Sequence, residues 1–169
     1  RSSIQEPGSG KSGLQESVSL YKGSEQAETN RGRVEKMNRI LIYRWKAYLY
    51  EDIIEAFHRL GYETEEMSQH LLNYELDDDF AEKMRMKLHE GRYAFVFTVN
   101  YFPLISEICH EEGILYVSWA CDSPLISMYH ASVFYDTNRI FHFDRVAEQE
   151  FYDAGVKNLW HLPLTTNIE

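Results

Sequence analysis

The sequence predicts an α/β protein, a doubly wound, mostly parallel, Rossmann-like sheet of about six strands preceded by a disordered leader. Three observations carry that prediction. From Met37 onward, short apolar runs alternate with stretches of helical periodicity, which is the rhythm of βα units. Gly61, Gly113 and Gly155 each stand where a helical stretch stops, and glycine closes helices without steric cost. Finally, Tyr93-Ala94-Phe95-Val96-Phe97-Thr98-Val99 is almost continuously apolar, as suits a central parallel strand covered on both faces.

The elements follow in order. Ile40-Leu41-Ile42-Tyr43 is the first strand. A helix from about Tyr50 to Leu60 puts Ile53, Ile54, Phe57 and Leu60 on one face, and Gly61 ends it. Tyr62 to Met67 is a weaker second strand. Asp77-Asp78-Asp79 supplies an N-cap and favourable charge for a helix running to about Glu90. The Tyr93–Val99 strand comes next. Pro103 then suits the first turn of a helix through Ile105, Ile108 and Cys109. Ile114 to Trp119 reads as another buried strand, with a short helical piece after Pro124. Arg139 to Phe143 is a strand, Asp144 caps a helix to Ala154, and Asn158 to His161 is the last strand. Six strands with five crossovers and short turns make a doubly wound sheet.

Residues 1 to 36 differ from all that follows: they are rich in Gly, Ser, Glu and Gln and lack periodicity. Such a stretch buries too little apolar surface to offset the entropy of ordering, so it reads as a disordered leader or an added extension. Met37 is a candidate natural start. Two phosphate-loop patterns in the leader are decoys. Gly8 to Gly13 matches a dinucleotide fingerprint, and Gln5 to Ser12 is one residue from a P-loop. Neither follows a buried strand, which those loops need to aim their N–H groups.

Composition removes several function classes. With 44% hydrophobic and 26% charged residues the chain is globular, no apolar run reaches the roughly 20 residues of a membrane span, and no signal pattern opens it. A cytoplasmic protein is the expectation. A net charge of −10 argues against wrapping nucleic acid, which needs clustered Lys and Arg. Cys109 and Cys121 lack metal-ligand spacing and read as buried apolar groups; no metal site is expected.

In doubly wound sheets ligands bind beyond the C-terminal strand ends, near the reversal of strand order. Arg44, Trp45 and Lys46 follow the first strand, and Asn100, Tyr101, Phe102 and Pro103 the third. Asp122, Ser123 and Pro124 follow the fourth, and Asp144 the fifth. Aromatic faces with amides and carboxylates suit a sugar or base. Each also has a plainer role. Asp144 reads first as an N-cap, and His142 and His161 as structural. Asn100 serves equally to satisfy a turn, Trp45 and Trp119 to pack the core, and Arg44 as a solvated charge. Asp122 is either a cap for a short helix or a general base. A receiver domain would need paired carboxylates where Arg44-Trp45 stand, a flavodoxin a Ser/Thr- and Gly-rich phosphate loop there, and a dehydrogenase a glycine fingerprint between Tyr43 and Glu51. None is present, so no dinucleotide is expected on this sheet. The segment Trp119 to Pro124 is the expected functional edge.

Three stretches carry a resemblance: Asn38 to Trp45, Phe97 to Glu107 with its Asn-Tyr-Phe-Pro, and Tyr116 to Leu125 with its Ser-Trp-x-x-Asp-Ser-Pro. Together with Gly155 to Leu164 they resemble the N-terminal domain of unknown function of bacterial glycosyltransferases similar to the spore-maturation protein CgeB. The resemblance implies a GT-B enzyme of two Rossmann-like halves, with residues 37–169 as the acceptor-side half. The donor half, which would bind the nucleotide sugar, lies outside this chain, so the isolated chain is expected to be inactive. It implies a hydroxyl acceptor such as a carbohydrate, and no cofactor in this chain. Asp122 becomes the base or acceptor-orienting carboxylate, and Asn100 and Ser123 hydroxyl binders. Trp45, Tyr101 and Trp119 become ring platforms and Arg44 an anion contact, with Phe102 and Pro124 also in the substrate site. The rival expectation is a non-catalytic module that binds a carbohydrate or a partner domain.

Overall fold

A computed structural model describes residues 38–47 and 49–164, so the expectation for the leader lies outside the described residues. Six strands form one sheet: β1 (Arg39–Tyr43), β2 (Glu63–Met67), β3 (Phe95–Val99), β4 (Leu115–Ala120), β5 (Asn138–His142) and β6 (Leu159–His161). Every pairing is parallel and the order is β2-β1-β3-β4-β5-β6. The helices are α1 (Tyr50–Arg59), α2 (Asp78–Glu90), α3 (Pro103–Glu111) and α4 (Arg145–Asp153). The piece after Pro124 is two short 3-10 turns, Ile126–Tyr129 and Ala131–Phe134. The doubly wound, Rossmann-like α/β fold is therefore present.

Strand order decides where the helices lie. The chain steps from β1 to β2 in one direction and takes every later step in the other. Right-handed crossovers then put α1 on one face and the later helices on the opposite face. Two cores result. Ile40, Ile42, Phe97 and Val99 pack beneath Ile53, Ile54 and Phe57 of α1. Leu41, Val96, Tyr116 and Ile140 pack on the other side with Phe80, Met84, Ile105, Ile108 and Phe151. Two expectations need correction here. Leu60 is 73% exposed because it caps α1 rather than lying on its buried stripe. Leu115, in a strand expected to be buried, is also exposed, since α1 packs over β1 and β3 and the helices after β3 lie on the opposite face.

The caps behave as residue chemistry dictates. Asp77 accepts the Phe80 N–H at 3.1 Å and Asp144 the Val146 N–H at 2.9 Å. Gly61, Gly113 and Gly155 all have positive φ. Cys109 is buried as expected, whereas Cys121 is only half-buried, its thiol pushed up to about 12, chiefly by burial.

A buried polar belt links β5 to α3. Ser106 Oγ donates to Asn138 Oδ1 at 2.8 Å, Asn138 Nδ2 to Ser132 O at 2.8 Å, and Tyr101 OH and Ser132 Oγ meet at 2.8 Å. Ser118 Oγ is the exception, buried in β4 with no hydrogen-bond partner among the described residues. Burying an unmatched hydroxyl costs free energy, so Ser118→Ala is expected to leave stability unchanged or raise it by up to about 1 kcal/mol. Urea unfolding of the two proteins checks this.

Candidate functional site

The strand order reverses between β1 and β3, and the loops leaving those strands open toward a cavity of about 600 Å³. Its wall begins where β1 ends. The Arg44 N–H extends the ladder to Met67 O at 2.8 Å, which holds the tips of β1 and β2 together. Trp45 then turns across the sheet end, its Nε1–H donating to Val99 O at 2.7 Å. A tryptophan N–H that leaves solvent needs such a partner, and this one anchors the ring. Behind it the Tyr50 hydroxyl donates to Tyr43 O at 2.9 Å.

Phe102 is the hub of the aromatic floor. It is 3% exposed and meets Tyr43 at 5.2 Å, Tyr74 at 5.3 Å and Trp45 at 5.9 Å between ring centroids, each edge to face. The loop after β2 supplies the rest of the lining, through Ser68, Gln69, His70 and Leu71. Arg44 lies on the rim, but Glu66 holds Nη1 at 2.7 Å and Glu51 holds Nη2. Those two carboxylates raise the guanidinium pKa further, Glu66 most. The expected anion contact is thus already occupied by two acidic partners.

The neighbouring ledge, at the ends of β3 and β4, is organised by Asn100. Its φ is 63°, in the left-handed region that Asn tolerates better than most residues. Its N–H donates to Trp119 O at 2.8 Å, its Nδ2 to Asp122 Oδ2 at 2.6 Å, and its Oδ1 accepts the Cys121 N–H at 2.8 Å. With these bonds made and 5% exposure, Asn100 positions Asp122 rather than offering an amide to a ligand. Asp122 itself is exposed. Ser123 Oγ donates to Asp144 Oδ2 at 3.1 Å, and Pro124 is exposed beside it.

The predicted residues therefore fall into two groups. Arg44, Trp45 and Phe102 line the cavity; Asn100, Asp122, Ser123 and Pro124 form the ledge and do not line it. Two platforms need revision. Tyr101 is 1% exposed, its ring turned inward and its hydroxyl on Ser132, so it presents no face to a ligand. Trp119 is half-buried, packed in the α1-side core, with Nε1–H donating to Leu162 O at 3.2 Å. Sequence reasoning missed Ser68 to Leu71 and Tyr74. The strand-end rule applies to the second strand as much as to the others, and that signal finds them.

His142 sits at the end of β5, with Nδ1 accepting the Asp144 N–H at 3.0 Å. Burial lowers its pKa below 6.5, and the nearby Asp144 charge opposes this only partly. The unfolded chain then binds the proton more readily, so this contribution is complete above about pH 6.5 and is lost as pH falls below it. Urea midpoints measured across this range are expected to decline on acidification, and His142→Asn to flatten the decline.

Among the described residues no group of three or more His, Cys, Asp or Glu could hold a metal ion, and no helix is long and apolar enough to cross a membrane. No family model and no curated protein matches the chain.

Proposed function

We propose that this chain is the acceptor-side half of a cytoplasmic glycosyltransferase, the complete enzyme moving a sugar from a nucleotide donor to a hydroxyl acceptor. The observation that carries the reading is an aromatic-floored cavity at the switch point, flanked by a ledge that holds the Asp122 carboxylate in place. The motif resemblance around Asn100 and Asp122 supports it. So does the rim: Leu72, Ile126 and Val146 are exposed in the segments that follow β2, β4 and β5, apolar surface of the kind a facing domain covers. In this reading Asp122 takes the acceptor proton or orients the hydroxyl, Asn100 positions Asp122, and Ser123 is a neighbouring hydroxyl contact.

The test is transfer by a longer form of the protein that carries a donor-binding half. Asp122→Asn keeps the shape and removes the base, and is expected to lower kcat by about 10²–10⁴-fold. Wild-type turnover in that variant would overturn the role of Asp122. A non-catalytic reading, a module that docks a partner, is favoured by one observation: Leu115, Trp160, Leu162 and Leu164 stay exposed at β4, β6 and the segment after it. Carbohydrate or partner binding without transfer in any longer form would select it.

A further inference from the structure

The cavity is rich in rings and poor in net positive charge, and that combination selects a ligand. Aromatic contacts form its floor, with Tyr74 the exposed member at 51% and Trp45 half-buried. Exposed or half-exposed aromatic rings at a pocket mouth present flat faces on which another ring stacks. The polar atoms on its β2 side are uncharged donors and acceptors from Ser68 and Gln69, together with His70.

Charge on the rim cancels. Arg44 is held between Glu51 and Glu66, two acids against one base, and among the described residues Lys46 is the only other Lys or Arg in the lining. Gln69 Nε2 donates to Asp79 at 3.3 Å, and Asp79 is itself paired with Lys83. The start of α1 lies outside the lining, and its first turn carries Glu51 and Asp52, which disfavour a phosphate at that helix end. A phosphorylated ligand in the cavity would find Arg44 already engaged by Glu51 and Glu66. A neutral one would lose nothing.

We infer that this cavity binds an uncharged, ring-bearing polyol or its aromatic glycoside, stacked on Tyr74 and Trp45 with hydroxyls toward Ser68 and Gln69, and discriminates against phosphorylated analogues. As a statement about the acceptor it rests on the transferase reading above; as a statement about binding it stands on the cavity alone. The loop after β2 is then a specificity element of the site, and Arg44 is a structural clamp between β1, β2 and α1.

Isothermal titration of the full chain with 4-nitrophenyl β-glucoside and, in parallel, 4-nitrophenyl phosphate tests it. Saturable binding of the glucoside is expected, at least about tenfold tighter than the phosphate ester. Tyr74→Ala, at a half-exposed position outside the core, is expected to weaken the glucoside by about tenfold. Gln69→Ala should weaken it several-fold. The inference is overturned by phosphate binding as tight as the glucoside, by a Tyr74→Ala affinity equal to wild type, or by no glucoside heat up to about 10 mM. The two readings separate cleanly. Binding with these variant effects but no transfer in a longer form removes only the acceptor role. Transfer with an acceptor KM indifferent to Tyr74→Ala and Gln69→Ala removes only this site.

Discussion

Phe102→Ala lowers the free energy of unfolding by about 3–5 kcal/mol, the loss expected for a fully buried aromatic truncated to a methyl group. Phe102 is the residue against which Tyr43, Tyr74 and Trp45 all pack edge to face, so one substitution removes three ring contacts together with the burial. Phe102 also precedes α3, and its own N–H donates to the Tyr116 hydroxyl at 3.0 Å. That backbone bond survives the change, so the loss reads out packing rather than a broken cap. Phe102→Leu keeps most of the volume and is expected to cost less than about 2 kcal/mol. Urea unfolding with an unchanged m value checks both. Equal losses for Leu and Ala would show that the rings do not pack as described.

Asn100→Ala is expected to cost about 2–4 kcal/mol, from two sources that a second variant separates. The first is backbone: at φ 63° a residue with Cβ other than Asn or Asp pays about 1–2 kcal/mol. The second is the side chain, which donates to the Asp122 carboxylate and accepts from the Cys121 N–H. Asn100→Gly keeps the conformation free and loses only the side-chain bonds, so it should be the milder variant by about 1 kcal/mol. Glycine proving worse than alanine in the urea midpoint would remove the backbone term. Because Asn100 Oδ1 holds the Cys121 N–H while Nδ2 holds Asp122, either variant frees the ledge to move relative to β3. In a catalytically complete form both should therefore resemble a loss of Asp122 in kcat more than in acceptor KM.

Much of the architecture was legible because it is written in local rules. Asp77 and Asp144 act as N-caps through their own carboxylates, and Gly61, Gly113 and Gly155 occupy positive φ. The continuous apolar run ending at Val99 lies at β3, between β1 and β4 in the middle of the sheet. Periods of two and of 3.6 report these features from a few neighbouring residues. Arg44 shows where that reach ends. Its identity placed it at a strand tip, but the register pairing Ile42 with Glu66 brings a distant carboxylate alongside. Glu51, in the first turn of α1, supplies the second.

Tyr101 marks the same boundary from the other side. An aromatic residue just after a strand reads as a ligand platform, yet Asn100 in the left-handed region redirects the chain and sends Tyr101 into the belt with Ser132 and Asn138. The cavity lining from Ser68 to Leu71, and Tyr74, was signalled only by its place after a strand. Those residues have the composition of any solvated loop, and they became a wall because β2 lies beside β1 at the reversal of strand order.

The segment Trp119 to Pro124 divides along this line. That it ends a parallel strand, with a carboxylate at the edge where ligands bind, follows from residue types and spacing alone. Its working shape does not. Trp119 packs beneath the α1-side core, Cys121 and Asp122 hang from an asparagine 22 residues before the carboxylate, and the cavity opens one strand away. Periodicity and caps are short-range physics, which a sequence displays directly. Pairing of charges, burial of a ring and the walls of a cavity depend on which strands become neighbours, and that is settled when the chain closes on itself.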